Sequence, residues 1–358
     1  MDALVLAGGA GSRFWPASRR ARPKPFVPLV GGQTLLDATL GRLSGLTEPS
    51  RIRVLASRDL EAVTREALVG HPGVRALFEP VPRNTAAAIA WGAACVAAED
   101  PDAIVGVFPA DHHIPSPAGF LRTLAAAEKA AAHHDALVLI GIEPAHASTA
   151  YGYLRVGDRA LGPGGVHRIR EFREKPAAAV ARRLVRSGEY LWNAGMVVAP
   201  VRRILAECQA HAPEVWDALG PALERTARGE PVETRALDAD YAQVKPLSFD
   251  YAVLERTDRA LVARGRFRWS DLGSWDSLEP HLDAAAGNRV RGRAPVVNIG
   301  ASGNVVWNQT GRALALVGIE DLIVVETEDV LLICRKDRAQ DVRAVVEKLE
   351  DPKFKDLA

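Results

Sequence analysis

The strongest constraint on this chain is an alternation. Through its first 140 residues, short apolar runs take turns with helical patterns. ALVLAG (3–8), IRVLAS (52–57), VRALFE (74–79), AIVGVFPAD (103–111) and ALVLIGI (136–142) read as buried strands. Between them lie TLLDATLGRLSGL, LEAVTREALVG, NTAAAIAWGAACVAAED and AGFLRTLAAAEKAAAHH. Thr34 and Asp37 open the first of these with a capping-box-like pair. Strands alternating with helices of this size predict right-handed βαβ units. The expected class is therefore α/β: a Rossmann-like mixed, mainly parallel sheet flanked by helices.

From 150 to 290 the pattern becomes mixed. YGYLRVGD and VHRIREFREKP read as an antiparallel pair around the turn LGPGG, and LWNAGMVVAP returns as a buried strand. Helices are expected near 201–211, 236–243 and 250–256, followed by the strands ALVARG and FRWS. Beyond Asn288, strands of four to six residues recur with turns every eight to ten, and the helix RAQDVRAVVEKLE follows. This predicts a large α/β domain over 1–287 and a small β-rich, β-helix-like domain over 288–358, the change falling at GNRVRGR.

Composition narrows the class. The 358 residues can bury a substantial core. With 45 Lys+Arg against 44 Asp+Glu, the net charge of +1 gives no global field for nucleic acid. Cys95, Cys208 and Cys334 lie far apart, without zinc or disulfide spacing. No signal peptide is visible and no run approaches the roughly 20 apolar residues of a membrane span. A cytoplasmic protein with neither nucleic-acid nor membrane partner is expected.

Chemistry is suggested first by LAGGAGSRFWPASRRARPKPF. Glycines after the first strand of an open α/β sheet let backbone N–H groups approach phosphates. The dinucleotide fingerprint fails because Phe14 stands where its third glycine belongs, and the Walker pattern fails because no Lys-Ser/Thr follows Gly11. What remains is G-G-x-G-x-R with Lys24 downstream, two cations able to straddle a polyphosphate. The plainer alternative is a tight turn with solvated basic residues. Asp111 ends the strand FPAD and Asp271 sits in WSDLGSW; each alone reads as a turn or cap residue, and together they suit Mg²⁺ over a triphosphate. His112 and His113 are taken as loop residues. Asn84 or Thr85 suits a helix cap, and that helix end could also face a base or phosphate. Arg170, Glu171, Arg173, Glu174 and Lys175 would ordinarily form a solvated face, though Glu174-Lys175 before Pro176 is suited to sugar hydroxyls and a phosphate. Asn193, interrupting an apolar strand before Gly195, is a bracket or a ligand contact.

LAGGAGSRFWPASRRARPKPF, VPRNTAAAIA, FPADHHI, YGYLRV, FREKP, LWNAGM, SFDYAVLER and WSDLGSW together resemble the ordered signatures of the mannose-1-phosphate guanylyltransferase (GDP-mannose pyrophosphorylase) family of the sugar nucleotidyltransferase superfamily. The likeness spans roughly 2–280, and GIEDLIVVETEDVLLICRKDRAQDV is similar to that family's tail. It departs at Pro25, where the family often has Gln, and at RFWP for RLWP. The resemblance implies GTP plus α-D-mannose 1-phosphate giving GDP-mannose and diphosphate, by Mg²⁺-dependent in-line attack on the α-phosphorus. It implies that Leu6, Ala7, Gly8, Gly9, Gly11, Ser12, Arg13, Lys24, Asn84, Thr85 and Asp111 bind nucleotide. Tyr151, Gly152, Glu174, Lys175, Asn193 and Gly195 would hold the sugar phosphate, and Asp111 and Asp271 the metal. Arg13, Lys24, Asp111, Lys175 and Asp271 would be catalytic. Many relatives continue into a cupin-type isomerase domain, whose activity is expected to be absent here; the β-rich tail could support a homodimer. Competing readings are a sugar-1-phosphate nucleotidyltransferase using UTP or dTTP and an inactive nucleotide-sugar-sensing homologue.

Overall fold

The computed structural model describes residues 1–9, 11–161, 164–292, 295–349 and 351–357. Ala10 of the glycine loop, Gly162 and Pro163 of the LGPGG turn, Arg293 of GNRVRGR and Glu350 of the closing helix lie outside them. The chain divides into two compact units: Met1–Gly8 with Leu40–Ala110 and Ile114–Trp269, and Gly9–Thr39 with Asp111–His113 and Ser270–Ala358.

The first unit follows the predicted alternation closely. Its strands and helices run β1 (Asp2–Leu6), α1 (Leu35–Leu43, shared with the second unit), β2 (Ile52–Ser57), α2 (Glu61–Leu68), β3 (Arg75–Glu79), α3 (Asn84–Ala97), β4 (Ile104–Pro109), α4 (Pro117–His134) and β5 (Leu137–Ile142). Then come β6 (Tyr153–Ala160), β7 (Val166–Arg173), α5 (Ala178–Ser187), β8 (Tyr190–Pro200), α6 (Val201–His211), α7 (Pro213–Ala227), α8 (Thr234–Gln243) and β9 (Ala260–Gly265). One nine-stranded sheet results, ordered β3-β2-β1-β4-β8-β5-β9-β7-β6. Its parallel part is β3-β2-β1-β4 and the β5–β9 pair. Elsewhere the mainly parallel expectation gives way to antiparallel pairing, because β8 enters between β4 and β5 and β6–β7 is a hairpin. Helices α3, α6 and α7 pack together around the alanine-rich face of α3, and α4 packs on β5, β8 and β9. The small side chains of α3 permit that close packing.

Two expectations are corrected. FRWS forms no strand: β9 stops at Gly265, Phe267 turns onto Phe120 with ring centroids 5.6 Å apart, and Ser270 makes only an isolated bridge to His113. The stretch near 250–256 is a π-helical turn, Asp250–Leu254, not an α-helix. Helices α5 and α7 were not anticipated.

In the second unit, Thr34 and Asp37 form the expected reciprocal cap at the start of α1. Thr34 Oγ1 donates to Asp37 Oδ2 at 2.6 Å, and Asp37 N donates to Thr34 Oγ1 at 3.0 Å. The β-rich tail comprises β10 (Asp283–Ala285), β11 (Asn288–Arg291), β12 (Val296–Ile299), β13 (Val305–Asn308), β14 (Leu314–Val317), β15 (Leu322–Glu326) and β16 (Leu331–Arg335). Parallel pairing of β11, β13 and β15, and of β12 with β14, winds the chain as a β-helix. Buried Asn304 links successive coils: its Nδ2 donates to Asn288 Oδ1 at 2.8 Å and its Oδ1 accepts from Leu322 N at 2.8 Å. The expected closing helix is a 3-10 turn, Lys336–Asp341, continuing into α9 (Val342–Lys348). Phe14, Trp15, Trp275, Trp307 and Val342 share one buried core, so the residues after the glycine loop and the tail are packed as one body.

Candidate active site

Within the second unit a polar cavity of about 360 Å³ is lined by Gly11, Ser12, Arg13, Phe14, Lys24, Asp111, His112, Asp271, Gly273 and Arg343. Residues separated by more than 300 positions thus meet in one place. Gly11 has φ 60°, and a Cβ there would stand 2.2 Å from Lys24 Cβ, so only glycine fits the turn. The chain then tightens into the 3-10 turn Ser12–Phe14, which presents Arg13. Arg13 makes no side-chain hydrogen bond or ion pair among the described residues. A half-buried guanidinium without a counter-ion is poised for an anion.

Lys24 is arranged differently. It is 5% exposed, its Nζ donates to Asp111 Oδ2 at 2.8 Å and to the Asp271 carbonyl at 2.5 Å, and it stands 5.7 Å from the centre of the Phe14 ring. Of the two cations read as able to straddle a polyphosphate, Lys24 clamps the two aspartate segments. His113 and Ser270 reinforce the clamp with mutual backbone bonds of 2.9 and 3.0 Å. Burial favours a neutral Asp111, but the charges of Lys24 and His112 and the Lys24 hydrogen bond outweigh it, holding the carboxyl below its ordinary range. Leu272 takes a positive φ of 45°, and Ser274 caps the following turn, accepting a side-chain bond from Gln340 at 2.8 Å. No group of three or more His, Cys, Asp or Glu able to hold a metal occurs among the described residues. Asp111 and Asp271 bring two carboxylates into one cavity, and a hard divalent cation bound with a nucleotide generally takes one or two carboxylates together with phosphate oxygens and water.

The first unit gathers a second set. Gly152 packs so tightly that a Cβ would lie 2.5 Å from Glu174 Oε2 and 3.3 Å from Asn193 Cβ. Asn193 N donates to Gly152 O at 2.8 Å, and Asn193 Oδ1 accepts from Gly195 N at 3.1 Å. Asn193 Nδ2 donates to Asp250 Oδ1 at 2.8 Å, so the buried amide is a structural bracket within the cluster. Lys175, at φ 44°, pairs its Nζ with Glu174 Oε1 at 2.8 Å, and its N donates to Tyr151 O at 3.2 Å. Burial lowers the Lys175 pKa, but the Glu174 bond and the charges of Glu174 and Asp250 raise it overall. Asp250 is pushed up to about 6 by burial and by Glu174, against Lys175. The Tyr151 ring stacks edgewise on Trp192 and Trp269, centroids 4.9 and 5.3 Å away.

The remaining sequence candidates fall into place unevenly. Gly8 and Gly9 are exposed, with open space where a Cβ would stand. Ala7 N and Leu6 O are engaged by Leu55 and Ala110. Neither Asn84 nor Thr85 caps α3: Asn84 has φ 66°, its Oδ1 accepts from Thr85 N at 2.8 Å, and Thr85 Oγ1 accepts from Phe249 N at 2.8 Å. Ala86 N is already bound to Leu247 O, which fills part of the helix end expected to be open. Three participants were not foreseen. His112 is a loop residue, as expected, and also lines the cavity; Asp250 carries no local signal beyond its place in SFDYAVLER, and Arg343 lies in the closing helix, where nothing local marks it.

Residues 2–286 match the nucleotidyl transferase family, and 294–349 match a MannoseP isomerase/GMP-like β-helix domain. The alginate biosynthesis protein AlgA of Pseudomonas aeruginosa is 38% identical over 361 residues, covering 98% of this chain and 72% of that protein. A mannose-1-phosphate guanylyltransferase of Sinorhizobium fredii is 34% identical over 352 residues, covering 96% of this chain and 67% of its own. A solved Thermus thermophilus structure, described as a mannose-1-phosphate geranyltransferase, is 37% identical with a TM-score of 0.86, covering 98% of this chain and 99% of that one. This chain belongs to the nucleotidyl transferase family, in the form that carries the MannoseP isomerase/GMP-like β-helix domain.

Proposed function

We propose that this protein is a mannose-1-phosphate guanylyltransferase, converting GTP and α-D-mannose 1-phosphate to GDP-mannose and diphosphate. The observation that carries the reading is Arg13, a cation without a partner among the described residues, in one cavity with Asp111 and Asp271. Guanylyl transfer to mannose 1-phosphate is the activity named for the Sinorhizobium relative.

In this mechanism an oxygen of the sugar phosphate attacks the GTP α-phosphorus, the bond from that phosphorus to the bridging oxygen breaks, and diphosphate leaves. No protein nucleophile is needed, so positioning and charge neutralisation supply the rate. Arg13 and Arg343 bind the β- and γ-phosphates, and the exposed Gly8–Gly9 backbone with Gly11 and Ser12 cradles them. A divalent cation, Mg²⁺, would be held by Asp111 and Asp271 and would supply further neutralisation of phosphate charge. Lys24 keeps both aspartate segments in register. Asn84 and Thr85 border the nucleoside. Glu174 and Lys175 hold the mannose and its phosphate, with Asn193, Gly152 and Gly195 shaping that pocket and Tyr151 walling it. Asp250 positions Asn193.

Diphosphate release scanned over four nucleoside triphosphates and several sugar 1-phosphates tests the reading. Turnover is expected with GTP and mannose 1-phosphate. Turnover with UTP or dTTP but no GDP-mannose would move the protein to the neighbouring activity. GDP-mannose binding without diphosphate release would make it a sensor.

A further inference from the structure

A larger groove in the first unit takes no part in this chemistry. It lies between α4 and the β6–β7 hairpin, with a cavity volume of about 910 Å³, within the range of small-molecule sites. Four permanent cations line it, Lys129, Arg159, Arg168 and Arg170, against one carboxylate, Asp158. Asp158 is taken by Arg170, at 2.6 Å. Lys129, Arg159 and Arg168 have no acidic partner among the described residues. The whole chain is nearly neutral at +1, so this local excess is not inherited from composition.

The C-terminal dipole of α4 accounts for the basic residues of its own last turns, Lys129 with His133 and His134. It does not account for three arginines on the facing hairpin. Like charges gathered on a concave surface repel one another, and an anion relieves that repulsion. Between the cations the floor is apolar: Ala130 and Val166 are buried, and Ala126 lines the groove with them. A cationic rim over an apolar floor fits a ligand with several negative charges and a flat or apolar body.

We infer that this groove is a second ligand site, taking an organic phosphate of the size of a nucleoside diphosphate, with the phosphates on Arg159, Arg168 and Lys129 and the base on the Val166–Ala130 floor. It shares no residue with the cavity that holds Arg13 and Asp111. The hairpin that forms one wall begins just after Gly152 and ends just before Glu174–Lys175. Occupancy therefore acts on the same two strands that carry the sugar-binding cluster.

The inference does not depend on the proposed guanylyl transfer. It is tested by titrating the full-length protein with GDP, and separately with inorganic diphosphate, while following the ¹³C-methyl resonances of Val166 and Ala130. Both methyl sets are expected to shift saturably with GDP, and more weakly bound diphosphate should give smaller shifts because it leaves the floor uncovered. The exposed pair Arg159→Gln and Arg168→Gln together should weaken GDP binding at these methyls about tenfold or more, with the GTP KM of turnover unchanged. Unmoved methyls at millimolar GDP, or equal affinity in the double variant, would overturn the site. Failure of guanylyl transfer with saturable methyl shifts would overturn only the catalytic reading.

Discussion

Lys24 and Asp111 form a 2.8 Å ion pair whose lysine also donates to the Asp271 carbonyl, so one buried ammonium joins the two carboxylate segments of the cavity. Lys24→Met removes the charge that steadies Asp111 and both tethers. Because Asp111 is 29% exposed, the stability loss should fall below that of a fully buried pair, at about 1–3 kcal/mol. Urea denaturation measures it, and turnover should fall with it. Arg13→Ala, by contrast, should lower kcat by about 10²–10³ with the urea midpoint unchanged, since nothing structural rests on that guanidinium. Near-normal turnover of Arg13→Ala would remove it from the site.

The loop glycines should separate into two kinds. Gly11→Ala places a Cβ 2.2 Å from Lys24 Cβ in left-handed backbone, and should cost at least about 2 kcal/mol in thermal or urea unfolding. Gly9→Ala meets nothing within 4 Å, and should leave stability within about 0.5 kcal/mol while raising the GTP KM, the outcome that the proposed phosphate cradle requires. An unchanged KM for Gly9→Ala would show that the loop is only a turn.

Arg343 reaches the cavity from α9, which packs on the Ser12–Phe14 turn. Its Nε donates to Glu347 at 3.1 Å, an exposed pair of small worth. Arg343→Ala should therefore leave unfolding within about 0.5 kcal/mol of the parent and raise the GTP KM about tenfold, while the mannose 1-phosphate KM stays the same. Equal effects on both KM values would argue against a phosphate contact.

Glu79, at the end of β3, supplies a pH test away from the cavity. Burial pushes its carboxyl up to about 8 from an ordinary 4.5, with the Tyr241 hydroxyl offsetting part of the effect. Below about 4.5 the group is protonated whether the chain is folded or not. Between about 4.5 and 8 the unfolded chain ionises first, so this group's contribution to stability falls as pH rises, and it levels off above about 8. Glu79→Gln removes that loss. Its unfolding free energy should exceed the parent's at pH 8 by clearly more than at pH 5, by about a few kcal/mol, as urea denaturation at the two pH values measures. A pH-independent difference would place the carboxyl in water.

The strands and helices of the first 140 residues were legible because burial on both sheet faces leaves continuous apolar runs, and α3 advertises itself by its alanines. The β-helix could be read from short strands at regular spacing. FRWS misled because its aromatic residues satisfy a strand pattern while Phe267 packs on Phe120 instead of entering a ladder. Thr85 looked like a helix cap, yet its hydroxyl is bound by Phe249, 164 residues away.

The same division runs through the site. Sequence alone determined the α/β class, the glycine loop, the two aspartates and the motif order that marks the family, since each is written in local residue types or spacing. Only the tertiary structure decided that Lys24 is a clamp while Arg13 has no partner among the described residues, that Asp250 holds Asn193, and that Arg343 lines the same cavity as Arg13. Those roles depend on burial and on contacts among residues scattered from 11 to 343, and neither is encoded in any local period.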